Sequence, residues 1–218
     1  MRNRVFSPDN LFFRITGTLF DMTALSAVTV LISLPVVTAY PALSALYYVA
    51  VKCFRGGDRF VYSGYFRAFR ENLFTGAAAS AACAFGCAPV VWLYLYLEKL
   101  ALQQAGGAVV LYVAFYVLLA LPAGFLCWIY PLLGRFEHSF GSLMAAAAEM
   151  TARHAPTSVV IGLLNAEAVI ACLQHPMALA IVPAAAVLLT SLFTERVFKK
   201  YLPPGPEETD VDGQNGDT

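Results

Sequence analysis

Charge is scarce in this sequence. Asp, Glu, Lys and Arg make up 13% of its 218 residues, about half of the roughly 25% usual in a soluble domain. No charged side chain occurs from Met22 to Val51. A chain so poor in charge keeps much of its surface away from water. Chemical signatures are missing too: there is no nucleophile–base pattern, glycine-rich phosphate loop, paired-carboxylate motif or zinc signature. The residues therefore give no positive ground for an enzyme or a cofactor. The five cysteines follow no disulfide or metal spacing. Cys83, Cys87, Cys127 and Cys172 fall inside apolar runs and read as small packing residues. His138, His154 and His175 are scattered, with no further ligands beside them to hold a metal.

What is abundant is apolar. Hydrophobic residues are 59% of the chain and mean hydropathy is +0.67. The apolar runs approach the roughly 20 residues that span a bilayer as helix, and they do not alternate as barrel strands do. The expected class is an all-α integral membrane protein, with one transmembrane helical domain over residues 15–202 and the lipid bilayer as its first partner. Before it lies a basic head, 1–14, with Arg2, Arg4 and Arg14. After it lies the tail "PPGPEETDVDGQNGDT" (203–218), which has five acids, no base and a disordered composition. Without that tail 14 basic residues face 9 acidic ones. This excess bears on membrane orientation, not on nucleic acid. The first apolar run starts too late and runs too long for a cleaved signal peptide.

Apolar stretches are expected at about 15–37, 42–51, 75–97, 108–133, 157–173 and 177–193. The second decides the topology. In "LPVVTAYPALSALYYV" (34–49), Pro35 and Pro41 each lack an N–H and disfavour helix at the preceding residue. Proline is welcome in a helix's first turn. The stretch predicts a hairpin: a helix ending near Leu34, a tight turn, and a new helix starting at Pro41. Residues 36–51 would reach about 24 Å as helix, against a hydrocarbon core of about 30 Å, so the second leg is short or re-entrant. Cytoplasmic segments collect Lys and Arg. With the hairpin, 13 basic residues fall inside and only Lys99 outside; without it the best split is 10 to 4. The expected bundle has about six membrane helices, with both termini cytoplasmic.

Two cytoplasmic segments read as amphipathic surface helices. In "YFRAFRENLF", Phe66, Phe69 and Leu73 share one face, with Arg67, Arg70 and Glu71 elsewhere. In "SLMAAAAEMTAR", Leu143, Ala147 and Met150 line one face, and Glu149 and Arg153 form a favourable i,i+4 pair. Gly76, Ser80 and Ala84 recur every fourth position and predict a close-packing helix face, within the chain rather than between copies. Trp92, Tyr94 and Tyr96 fall at the expected outer end of their span, Trp128 and Tyr130 at the inner end of theirs.

The costly residues are polar ones within spans. Glu167 and Asn165 lie mid-span in "VVIGLLNAEAVIACL". A charge there costs about 3 kcal/mol on insertion scales. Glu167 is therefore expected to face the bundle interior or a water-filled cavity, or to be protonated. Asp21 lies nearer the inner end of the first span, seven residues from Arg14, a candidate ion-pair partner. All three are candidate substrate or proton sites; interhelical hydrogen bonding is the alternative.

The stretch "SLPVVTAYPALSALYYVAVKCFRGGDRFVYSGYFRAFRENL" resembles the signature region of the YesL-like bacterial membrane proteins, a domain of unknown function. The matching positions are Leu34-Pro35, Thr38, Pro41-Ala42-Leu43, Tyr47, Lys52, Tyr65-Phe66, Phe69 and Asn72. "YPLLGRFEHSF…A…RHAPTSVVIGLL" is similar to the second half of the family, so the likeness runs over about 10–200. Tyr40 departs from it, where a small residue such as glycine is expected. The resemblance implies a multi-pass membrane protein associated with carbohydrate ABC-transporter genes. It establishes no catalytic or binding residue.

Two functions follow as expectations. One is an accessory or regulatory protein linked to carbohydrate uptake. It would contact a transporter permease or membrane sensor through the hairpin and cytoplasmic helices, with Pro35, Thr38, Pro41, Phe66, Arg67, Phe69, Arg70 and Asn72 as candidate contacts. The other is a small solute or proton-coupled transporter or channel with Glu167 and Asn165 on its path.

Overall fold

The computed structural model describes residues 11–55, 61–103 and 107–201. The expected acidic tail and most of the basic head lie outside the described residues. Among those described there are nine α-helices and no strand, in agreement with the all-α expectation.

The first helix, α1 (Leu11–Ser33), stops just before Pro35. A 3-10 turn, Val36–Thr38, reverses the chain. The Thr38 hydroxyl closes this turn on the carbonyls of Ile32 and Pro35, the latter at 2.8 Å. The next helix, α2 (Ala39–Val49), has Pro41 in its first turn, where the missing N–H costs nothing. It runs on into a π-helical turn, Ala50–Arg55. The two prolines thus build a hairpin, and its second leg of 17 residues reaches no more than about 25 Å.

This short leg is the centre of the fold. Ala42, Ala45, Leu46, Tyr47 and Val49 are buried, and α2 meets α1 and all three of α4 (Leu73–Leu102), α6 (Ala120–Arg135) and α9 (Val182–Phe198). Two glycines allow the close approach. A Cβ on Gly134 would lie 2.7 Å from the Ser44 carbonyl oxygen, and one on Gly76 would lie 2.7 Å from the Pro41 ring. Ser80 Oγ accepts the Tyr40 N–H at 3.1 Å and donates to the Gly76 carbonyl. The small-residue face of α4 therefore packs within the chain at Gly76 and Ser80. Ala84, expected to continue it, is exposed.

Helix α3 (Val61–Glu71) packs against α2 and reaches α1 through two side-chain hydrogen bonds. Thr29 donates to the Tyr65 hydroxyl at 3.1 Å, and the Tyr62 hydroxyl donates to Asp21 Oδ1 at 3.0 Å. The expected face of α3 is corrected here. Its buried side is Val61, Gly64, Tyr65 and Ala68, while Phe66 is exposed. Gly64 packs against Tyr48 and Val49 of α2 and the Tyr65 hydroxyl finds a partner on α1, so Phe66, one position on, is turned about 100° away. The chain also breaks at Asn72, so Leu73 belongs to α4.

The expected span 108–133 consists of α5 (Ala108–Leu118) and α6, parted at Leu119. Pro122 has no N–H for the Leu118 carbonyl, yet hydrogen bonds on either side keep the path helical. Helix α7 (Phe140–Arg153) buries Leu143 and Ala147, with Met150 half-buried, and carries the Glu149–Arg153 pair at 2.9 Å. Helix α8 (Ala155–Gln174) is followed by a 3-10 turn, Pro176–Ala180, and then α9. The last helix starts five residues later than expected because Pro176 and Pro183 each take a first-turn position.

Among the described residues two helices, α4 and α8, are long and apolar enough to cross a membrane. Only 11% and 17% of their apolar windows are buried.

Gly134→Ala is expected to lower stability by about 1–3 kcal/mol, since its new Cβ meets backbone. Gly86→Ala, with open space around it, should leave the midpoint unchanged or raise it. Thermal unfolding of the purified protein in detergent compares them; equal midpoints would show that α2 is not gripped at Gly134.

Candidate functional site

Glu195, in the last turns of α9, is a buried carboxylate, 7% exposed. The Tyr47 hydroxyl of α2 donates to its Oε1 at 2.9 Å. Arg135, at the end of α6, places Nη2 3.5 Å from its Oε2. The Tyr47 hydroxyl also lies 2.9 Å from Thr194 Oγ1. Three helices thus meet on one charge. Gly134 makes this possible by letting α2 slide against α6, so that Tyr47 reaches α9. A carboxylate removed from water needs this set of donors.

A polar spine runs from here along α9. Thr194 Oγ1 donates to the Thr190 carbonyl at 3.1 Å, and Asn165 Nδ2 donates to Thr190 Oγ1 at 3.0 Å. The Tyr130 hydroxyl points to Asn165 Oδ1 at 3.4 Å, and its ring meets that of Tyr47 edge-on at 6.0 Å. Each end of the spine opens on a cavity. The larger, about 660 Å³, lies among α1, α2, α8 and α9, and Thr29, Ser33 and Asn165 are the polar residues lining it. Ser33 Oγ is buried there with no hydrogen-bond partner among the described residues. The smaller, about 370 Å³, is lined by Tyr47, Tyr48, Lys52, Gly134, Arg135 and Phe136. At its rim Arg67 Nη2 donates to the Tyr48 hydroxyl at 2.8 Å, and Lys52 Nζ sits 4.9 Å from the Tyr48 ring centre. The hydrogen bond to Tyr48 raises the Arg67 pKa above its ordinary value, so the guanidinium is charged at any working pH.

The polar residues singled out in the sequence separate. Asn165 joins the spine and lines the larger cavity. Glu167 does not face inward as expected: it is exposed on the outer side of α8 and lines neither cavity. Two positions along a helix are about 200° of rotation, so with Asn165 held inward Glu167 must point out. Asp21 is bonded to Tyr62; the side chain of Arg14 lies outside the described residues. Of the candidate contact residues, Pro41 is buried against Gly76 and Phe69 is half-buried against the core. Thr38 closes the turn, and the Asn72 carbonyl accepts the Gly76 N–H. Pro35, Phe66, Arg67 and Arg70 are exposed. No group of three His, Cys, Asp or Glu side chains gathers to hold a metal among the described residues.

Glu195, Tyr47 and Arg135 were not singled out from the sequence as a site. Glu195 stands in "ERVFKK", a basic stretch that follows the last apolar run. The available signal was its position directly after an apolar run, together with a tyrosine in a charge-free segment that must find a partner.

Residues 10–96 match the family described as "Protein of unknown function, DUF624". This stretch, less than half of the chain, is similar to that family. The match agrees with the YesL-like resemblance over α1 to α3 and most of α4. No curated protein and no solved structure matches the chain. The matched stretch supplies Tyr47, Tyr48, Lys52 and Arg67; α6 and α9, beyond it, supply Arg135 and Glu195.

Tyr47→Phe removes the hydroxyl that serves Glu195 and should cost about 1–2 kcal/mol of stability. Ser26→Ala is a comparison at a separate polar contact, where Ser26 Oγ accepts the Ala184 N–H. Unfolding midpoints read both, and a Tyr47→Phe midpoint equal to wild type would remove Tyr47 from the site.

Proposed function

We propose that the chain is a multi-pass membrane protein that serves as an accessory or regulatory subunit of another membrane protein. Helices that are apolar and yet mostly exposed have lipid or protein as their neighbours, and α4 and α8 are of this kind. With α1, the α2 leg, the α5–α6 pair and α9 they make six membrane segments. The 13-to-1 division of basic residues supports cytoplasmic termini.

The observation that carries the accessory role is the outer face of α8. Val160, Leu163, Glu167 and Ile170 are all exposed, and their spacing of three and four is that of a helix–helix seam. Leaving Glu167 against lipid costs about 3 kcal/mol. A partner helix that brings a Lys, Arg or other donor to the same depth removes that cost. Pro35 at the outer turn, with Phe66, Arg67 and Arg70 on α3, offers further contact. A carbohydrate-transporter permease or membrane sensor as the partner rests on the family resemblance. A solute or proton-coupled transporter is the second reading, favoured by Asn165 and the cavity it lines.

Purification from the native membrane in mild detergent should recover a membrane partner in stoichiometric amount. Glu167→Leu should lose it with no fall in unfolding midpoint; a variant that keeps the partner rules this face out. Pure protein that drives solute-dependent proton flux in liposomes would favour the second reading. For topology, Val37→Cys should react with an impermeant maleimide in intact cells, and Arg70→Cys only after permeabilisation. The reverse pattern overturns the proposed orientation.

A further inference from the structure

The smaller cavity holds more positive than negative charge. Lys52 and Arg135 line it and Arg67 stands at its rim. Against them, Glu195 is engaged by Arg135 and Tyr47, and Glu71 lies 4.0 Å from Arg67 on exposed surface. Lys52 has no carboxylate within ion-pair reach among the described residues. Arg135 is about one-third exposed and gives Glu195 one edge of a five-donor fork. Tyr48 has a defined polarity. Its hydroxyl oxygen accepts the Arg67 N–H, so its own proton is free to be donated. Gly134 adds no side chain to the wall. Lys52 itself sits on the π-helical turn Ala50–Arg55, a distortion found frequently at functional sites.

We propose that this cavity binds a phosphate group, held by the Lys52 ammonium, the free edge of the Arg135 guanidinium and the Tyr48 hydroxyl. Phosphate presents several acceptor oxygens to a planar fork and a point charge together, which suits this set of donors. Lys52 and Arg135 both stand where apolar helices end. If the chain spans the membrane as proposed above, that is the depth of lipid head groups on the cytoplasmic side, where basic pockets between helices take anionic lipid. An anionic phospholipid head group and a soluble phosphate ester share the recognising chemistry; the phosphate site itself does not depend on the membrane topology.

The test uses the full chain purified in neutral detergent. Phosphatidylglycerol and phosphatidylcholine are titrated separately and retained lipid is read by native mass spectrometry. Inorganic phosphate is titrated against chloride at matched ionic strength and read as a shift in unfolding midpoint. Lys52→Gln removes one cation of the site, and Arg153→Gln removes one remote from it. Selective retention of phosphatidylglycerol, weakened about fivefold by Lys52→Gln and unchanged by Arg153→Gln, assigns the site to lipid. Protection by phosphate beyond chloride, lost in Lys52→Gln and without lipid selectivity, assigns it to a soluble ester. No preference for either probe, or equal weakening in both variants, overturns the proposal. Lys52 is exposed, so its variant is expected to fold, and an unchanged midpoint without probe confirms that.

Discussion

The fold depends on burying a helix too short to cross on its own. α2 is surrounded by four or more helices, so each polar group on it must be satisfied by protein. The Tyr40 N–H goes to Ser80, the Ser44 hydroxyl to the Pro41 carbonyl, and the Tyr47 hydroxyl to Glu195. The bonds to Ser80 and Glu195 each fix one neighbouring helix. Gly76 and Gly134 are the complement of the same constraint, because backbones that must come this close leave no room for a Cβ. The position of α9, and with it Glu195, follows from where Tyr47 ends.

Along the spine that arrangement puts charge at one end only. Toward the centre the spine is neutral: Thr194, Thr190, Asn165 and Tyr130. At the end of α6 it becomes ionic, with Glu195 held between Tyr47 and Arg135. The pairing keeps a carboxylate in a partly dry setting without a full desolvation penalty, while Arg135 stays partly open to the smaller cavity. A packing requirement of α2 and a candidate anion site are therefore products of the same contacts. The outer face of α8 is a separate matter. Nothing within the described chain answers Glu167, which is why its partner is sought outside.

Much of this was legible in residues. Pro35 and Pro41 determined the hairpin, since proline removes an N–H and fixes φ wherever it stands. The stripe of Leu143 and Ala147 determined the inner face of α7 through helical period alone. Scarce charge and long apolar runs determined the all-helical class. Tertiary structure decided the rest. Helical period says that Asn165 and Glu167 diverge, but which one faces in depends on Thr190 and Tyr130, which are distant in sequence. The rotation of α3 depends on Gly64 packing against α2 and on Thr29 meeting Tyr65, and Phe66 is left exposed. The meeting of Tyr47, Arg135 and Glu195 spans 148 positions. Local pattern cannot reach that far, because it is set by how closely three helices can approach at Gly134.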